Sequence, residues 1–579
     1  MTETTSRADA ARFLETAEGR LKDLAIAAQQ ADWVNATYIT PDTDALSARA
    51  TSRFISETLD LAKRSTEFAE GSLDEELRRK FKLLRLLLPL VGPSDPVESE
   101  ELTRRVTAMQ GAYAKGHHTL VGEREPRDLQ GLSHVLEESR DPARLVDAWA
   151  GWHRIGRSIR PDFVRYVELA NRGAGELGFA DMGVMWRSKY DMEPEAFARE
   201  VDRLWESVRP LYEALHAYVR HRLVAVYGAD VVDPRGPIPI HLLGNMWAQS
   251  WDGIYPILVP PGTEAGFDLT RILVARGTTP TDLVRYAERF FESLGLGTLP
   301  PTFWERSMFV RPRDREVVCH ASAWNIDFAE DLRIKMCIEI TDEDFRTIHH
   351  ELGHSYYQRA YSGQSFLFRD SAHDGFHEAV GDTVALSVTP EYLAKIGLLS
   401  DVPPDTGDLG LLLRRALEKI AFLPFGLVVD RWRWEVFSGA VSPSEYNPRW
   451  WDLRRRYQGV VPPGERSADE FDPGAKYHVA ANTPYMRYFL AHILQFQFHR
   501  ALVRAMGGSG PLHRASIYGS KEAGRRLKTM MELGQRREWP DALEAITGER
   551  RMEATGLLEY FRPLQRWLEE QNRSIPTGW

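Results

Sequence analysis

The chain has 579 residues, more than one compact core usually holds, so two lobes around ample apolar material are expected. Hydrophobic residues at 43% and charged residues at 27% are the balance of a soluble folded protein, neither disordered nor membrane-embedded. A formal net charge of -10 argues against a nucleic-acid partner, which needs a concentrated basic surface.

The first residues, MTETTSRADAARFLETAEGR, have neither a basic start nor an apolar core, so no signal peptide is read in this chain; a trimmed one would look the same. Ser72-Leu-Asp-Glu75 reads as a capping box. Leu73, Leu77, Phe81, Leu84 and Leu88 then recur at steps of three and four, one stripe of an amphipathic helix that Pro89 should end. The overlapping run LLRLLLPLV (83–91) is too short to span a membrane, carries Arg85 and is broken by the same proline. Helical periodicity returns over 197–227, 283–294, 485–506 and 521–533, separated by turns such as VDPRGPIP and VPPG. Strand-like runs are few; VVCHASAW (317–324) and RIKMCIEI (333–340) are the clearest, and they are expected to pair near the HHELGH helix. The Arg-rich LRRR (453–456), flanked by Trp and Tyr, reads as a helix face or as buried ion pairs. The chain is therefore mainly α with a small β element, and no linker divides it.

HHELGH (349–354) carries the chemistry. Positions i and i+4 share a helix face, so His350 and His354 can present two imidazoles to one ion, with Glu351 within reach of a water there. Thr341 and Asp344 can cap this helix, and Phe345, Ile348, Leu352 and Tyr356 form an apolar stripe opposite the two histidines. A catalytic zinc site takes three protein ligands and keeps a position for water. Glu378, at the start of the next helical segment, is the candidate third ligand, and Asp382, one turn on, can accept from the second ring nitrogen of His350. His349 points about 100° away round the helix and, like His377, is read as a core or supporting residue.

These segments, together with CHASAW (319–324), GFHEAVGDTVALSV (375–388), FDPGAKYHV (471–479), PYMRYF (484–489), FQFH (496–499) and SKEAG (520–524), resemble the peptidyl-dipeptidases related to angiotensin-converting enzyme, in a single-domain, bacterial-type form. The similarity runs from near Trp33 to near Trp567. It implies one catalytic domain over 1–579, a helical ellipsoid of two lobes enclosing a deep channel, with the helices up to about residue 100 as a lid over short peptide substrates. It also implies zinc, with Glu351 as general base and Tyr488 and His478 at the scissile bond. His320, Ala321 and Ala323 would align the substrate, and Gln249, Lys476 and Tyr485 would bind its C-terminal carboxylate, two residues beyond the cut. The other readings are a carboxypeptidase releasing single residues and a peptide-binding homologue without activity.

Two further implications follow from the resemblance. Cys319 and Cys337 would form a disulfide in an exported, periplasmic or secreted protein, the alternative being two buried thiols. Chloride would raise activity through Arg487 with Tyr218, and through a second group of Arg187, Trp450 and Arg454; the alternative is that these arginines pair with carboxylates. Oligomeric state is not legible.

Overall fold

Local start and stop signals set most helix boundaries in the computed structural model, which describes residues 7–68, 73–260, 262–263, 267–467 and 469–579. Helices α1 (Arg7–Thr37) and α2 (Pro41–Arg64) fold back on each other, and the Thr40 hydroxyl accepts from Thr43 N–H while Pro41 takes the first helical position. Helix α3 (Glu75–Arg85) is capped by Asp74, which accepts from Leu77 N–H; Ser72, the expected cap, lies outside the described residues. The helix closes at Arg85 rather than reaching Leu88, because Pro89 disfavours helical geometry in the residue before it. The expected periodic segments become α4 (Pro194–Tyr227), α5 (Pro280–Leu294), α9 (Met486–Ala505) and α10 (Lys521–Glu532).

Between them run α6 (Asp342–Ala360), α7 (Asp374–Leu386) and α8 (Asp408–Phe437). Helix α8 is buried over most of its length and packs on both α4 and α9. The buried apolar residues form one connected core that reaches from Ala10 to Leu568.

Two small sheets complete the fold. Strands β1 (Ile238–Pro239) and β4 (Val460–Val461) are parallel, while β2 (Ser322–Asn325) and β3 (Leu332–Lys335) are antiparallel with Ala323 opposite Ile334. The latter pair is shorter than the strand-like runs. Past Lys335 the backbone turns to another partner: Met336 and Ile338 N–H donate to the carbonyls of Met308 and Phe309, so residues 317–321 have no strand to join. The Lys335 ammonium holds that segment instead, donating to the carbonyls of Val318 at 2.7 Å and His320 at 2.6 Å. Cys319 and Cys337 form a disulfide across the same two arms, as the resemblance implied. The α1–α2 hairpin docks here too: Val318 N–H donates to Ala36, Ile39 N–H to Glu316, and Trp33 meets Trp324 edge-on at 5.5 Å. No described helix is long and apolar enough to cross a membrane.

The disulfide closes a short loop with a sequence separation of 18. Replacing both cysteines by serine is expected to cost about 3 kcal/mol by loop-closure entropy, read as a lowered denaturation midpoint, and the unreduced wild type should titrate no free thiol.

Candidate metal centre and its surroundings

Helix α6 begins where the sequence placed it, with the Thr341 hydroxyl accepting from Asp344 N–H. Only half of a capping box forms, because the Asp344 carboxylate accepts from Glu339 N–H at 2.6 Å instead. Phe345, Ile348, Leu352 and Tyr356 are buried, which turns His350 and His354 toward α7. His349 is a core residue: its ring nitrogens meet the Phe345 carbonyl at 2.7 Å and the Tyr392 hydroxyl at 3.0 Å.

The two helices meet through glycine. A Cβ on Gly353 would lie 2.7 Å from Gly381 Cα, and one on Gly381 would lie 2.8 Å from both the carbonyl oxygen and Nδ1 of His350. This approach brings His350, His354 and Glu378 together, with one donor atom of each within 4.8 Å of the others. They are the one such cluster among the described residues.

Hydrogen bonds set the ring orientations. His350 Nδ1 is 3.1 Å from Asp382 Oδ1, leaving Nε2 toward Glu378 Oε2 at 3.5 Å. His354 Nδ1 is 3.1 Å from His377 Nδ1, and His377 Nε2 is 3.2 Å from the Tyr361 hydroxyl. If His377 Nε2–H donates to Tyr361, its Nδ1 accepts from His354 and leaves the His354 Nε2 lone pair free for a metal. His377 thus braces a candidate ligand and lies outside the candidate cluster, and burial, then the neighbouring His354, push its pKa down to about 3.

Burial opposes charge on His350, but Asp382 and Glu378 outweigh it and hold its pKa well above the usual range. Burial raises Glu378, yet His350 and His354 draw it down to about 2. A cation among these donors would replace the proton that the carboxylates hold on His350. Two imidazoles and a carboxylate, with the rings braced from behind, fit zinc. Reading by spacing identified Asp382 but missed its own supports: Oδ2 accepts from Gln495 Nε2 at 2.9 Å and faces Lys419 Nζ at 3.4 Å. A lysine inside the apolar run of α8 was the available signal.

Glu351 is buried on the same helix, near enough to Lys335 to offset in part the burial that lowers that lysine's pKa. His320 is exposed and Ala321 partly buried just before β2, and Ala323 is partly buried within it. Gln249, Lys476 and Tyr485 come together: Gln249 Oε1 accepts from Lys476 Nζ at 2.6 Å and from the Tyr485 hydroxyl at 3.3 Å. Burial, then Arg454, pushes the Lys476 pKa down to about 7, with the ammonium 4.0 Å above the Trp247 ring.

The rings of His478, Tyr485 and Tyr488 form a triangle of 4.7, 5.0 and 5.6 Å. Burial, then Lys476, Arg433 and Arg487, push His478 down to about 2, so it is neutral at neutral pH. Burial and Glu378 raise Tyr488, keeping its phenol protonated, although Arg487 opposes them. Two residues outside the sequence reading hold this segment. Asp430 on α8 accepts from Tyr485 and Met486 N–H at 2.8 and 2.7 Å. Arg433, paired with it, donates to the carbonyls of His478 and Thr483.

The arginines divide. Arg454, in a π-helical turn (Arg454–Gln458), lies 5.3 Å from the Trp450 ring centroid and donates to Gln458 Oε1 and the Trp247 carbonyl, with no ion pair to a described carboxylate. Burial pushes it down to about 9. Arg187 instead pairs with Glu195 at 3.2 Å and stands over Trp434. Arg487 pairs with Asp374 at 3.2 Å, the alternative that the sequence left open, whereas Tyr218 donates to the Leu258 carbonyl and packs on Trp567, sharing none of these partners.

The sequence profile of the angiotensin-converting enzyme peptidases matches residues 4–579. The chain belongs to that family. It is 48% identical over 446 residues to angiotensin-converting enzyme of Bos taurus, covering 76% of this chain and 34% of the relative. With the Mus musculus enzyme the identity is 41% over 583 residues, covering 99% and 44%. With that of Theromyzon tessulatum it is 43% over 484 residues, covering 82% and 78%. The chain thus spans less than half the length of the two mammalian family members.

Asp382→Asn should weaken zinc affinity by about 10- to 100-fold, measured by competition with a chromogenic chelator, while leaving the helical circular dichroism unchanged.

Proposed function

We propose that this protein is a zinc-dependent peptidyl-dipeptidase that removes C-terminal dipeptides from short peptides. The observation that carries the reading is the carboxylate-binding trio Gln249, Lys476 and Tyr485, linked through the Tyr485–Tyr488 ring contact to the group beside Glu378. An ammonium and a phenol converging on one acceptor suit a terminal carboxylate. A metal centre a fixed distance away would then choose the bond to be cut.

His350, His354 and Glu378 would hold zinc, which when bound supplies Lewis-acid polarisation of the scissile carbonyl and of the attacking water. Glu351 takes the water's proton and returns it to the departing amine. The Tyr488 phenol donates to the developing oxyanion, and neutral His478 orients the same region. His320 and Ala321, just before β2, and Ala323 within it would align an extended substrate peptide by backbone pairing. The chain acts as one two-lobed domain around a channel, with the helices up to about residue 100 as a lid; the docking of Trp33 on Trp324 supports that role.

For chloride we propose the Trp450–Arg454 site, where a buried guanidinium makes no ion pair with any described residue and its charge invites an anion. The disulfide supports a secreted or periplasmic location.

N-blocked peptides analysed by mass spectrometry should yield C-terminal dipeptides, abolished by chelator. Glu351→Gln should keep zinc while losing about 10²- to 10⁴-fold in kcat. Single amino acids as the main product would replace this reading with the carboxypeptidase one, and no product at all with the binding one.

A second expectation concerns pH. Lys476 is cationic below about 7 and neutral above it, so attraction for the substrate carboxylate is present at lower pH and fades as pH rises. KM should therefore climb above neutrality while kcat changes less, and Lys476→Met should remove that slope.

A further inference from the structure

Arg487 stands in the first turn of α9, one residue before Tyr488, and its Nη2 lies 3.2 Å from Asp374 Oδ2. Asp374 is the first residue of α7, the helix that one turn later presents Glu378. The pair therefore ties the start of the helix carrying a candidate metal ligand to the start of the helix carrying the candidate oxyanion donor. Both side chains are largely buried, 26% and 11% exposed. The backbones are also close, since a Cβ on Gly375 would lie 3.2 Å from the Arg487 carbonyl oxygen.

The charges around the pair come from every neighbouring element. Lys189 and Tyr190 approach from the segment before α4, His373 and Asp370 from the turn before α7, Glu378 from α7 itself and Asp430 from α8. Asp430 is already committed to Arg433 and to backbone N–H groups. A buried guanidinium is costly to leave without a counter-charge, and here the chain supplies one in Asp374.

A cavity of about 20 Å³ borders Asp374 and is lined in part by Lys189, Tyr190, Trp186, Trp434 and Met486. That is room for about one water molecule. Removing the carboxylate would enlarge this space and leave Arg487 and Lys189 facing it, a cationic hollow walled by indole rings.

We propose that Asp374 is a built-in counter-anion and a positioning residue: it holds Arg487, and through it Tyr488, without any anion from solution, and shortening it creates a site for a small monovalent anion. The activity part of this inference rests on the peptidase reading above; the anion part does not.

The test uses Asp374→Ala in the full chain, with chloride titrated against gluconate at constant ionic strength. Peptidase rate and melting temperature are both followed. Without chloride, kcat should fall on the order of 10- to 100-fold, as for a small displacement of a catalytic group, with KM little changed. Chloride should restore kcat and raise the melting temperature more than in wild type, and the added Arg487→Gln change should remove that extra response. Asp374→Ser, which keeps a small polar side chain at the first helical position, gives the same readout should the alanine variant not fold. Loss of activity with no chloride rescue would make Asp374 only a structural residue of the helix start. A wild-type chloride response abolished by Arg487→Gln would show that Arg487 still takes a solution anion, and either result overturns the proposal. If no variant cleaves any peptide, the peptidase reading fails, while the melting temperatures still decide the anion site.

Discussion

A methyl group at Gly353 or Gly381 would drive α6 and α7 apart, and the site depends on their not being apart. Two helices with ordinary side chains at their contact stand 8–10 Å apart between axes. Imidazoles on one could then reach a carboxylate on the other only by extending into open space, with nothing behind them. At the glycine contact His350 lies against α7 itself, so Glu378 and Asp382, one turn apart, meet its two ring nitrogens on opposite sides. The candidate ligand and its support come from a single helix, which would couple metal geometry directly to helix packing.

That coupling is anchored by α8. The helix runs through the core, so the polar groups that it carries inward must find partners. Three of them find partners around the site: Lys419 at Asp382, Asp430 at the N–H groups of Tyr485 and Met486 where α9 begins, and Arg433 at the carbonyls of His478 and Thr483. One rigid element thus fixes the metal centre and the His478–Tyr488 segment relative to each other. Buried ion pairs add little net stability when compared with apolar packing, but they penalise any arrangement that leaves one member unpaired. The Asp430–Arg433 pair is therefore better understood as fixing where the segment sits than as holding the fold together.

On the other side of the site, the short β2–β3 pair has no large sheet to stiffen it. The disulfide, the Lys335 ammonium and the docked α1–α2 hairpin do so instead. The same hairpin that would limit entry to the site therefore also braces the strand along which a peptide would lie.

By itself the sequence determined what depends on the period of a helix: the helices that became α4, α5, α9 and α10, the pairing of His350 with His354, the placing of Glu378 and Asp382 one turn apart, and the cap at Thr341. These are local, because covalent geometry fixes which residues share a face. Only the tertiary structure decided which of 83 acidic side chains would face each arginine. Arg487 met Asp374, Arg454 met none among the described residues, and Tyr218 ended at the Leu258 carbonyl. The backbone of Met336 and Ile338 likewise paired with Met308 and Phe309, cutting the expected strands short. A side-chain charge or an extended backbone is satisfied by whichever partner packing brings within reach, and no spacing along the chain encodes that choice.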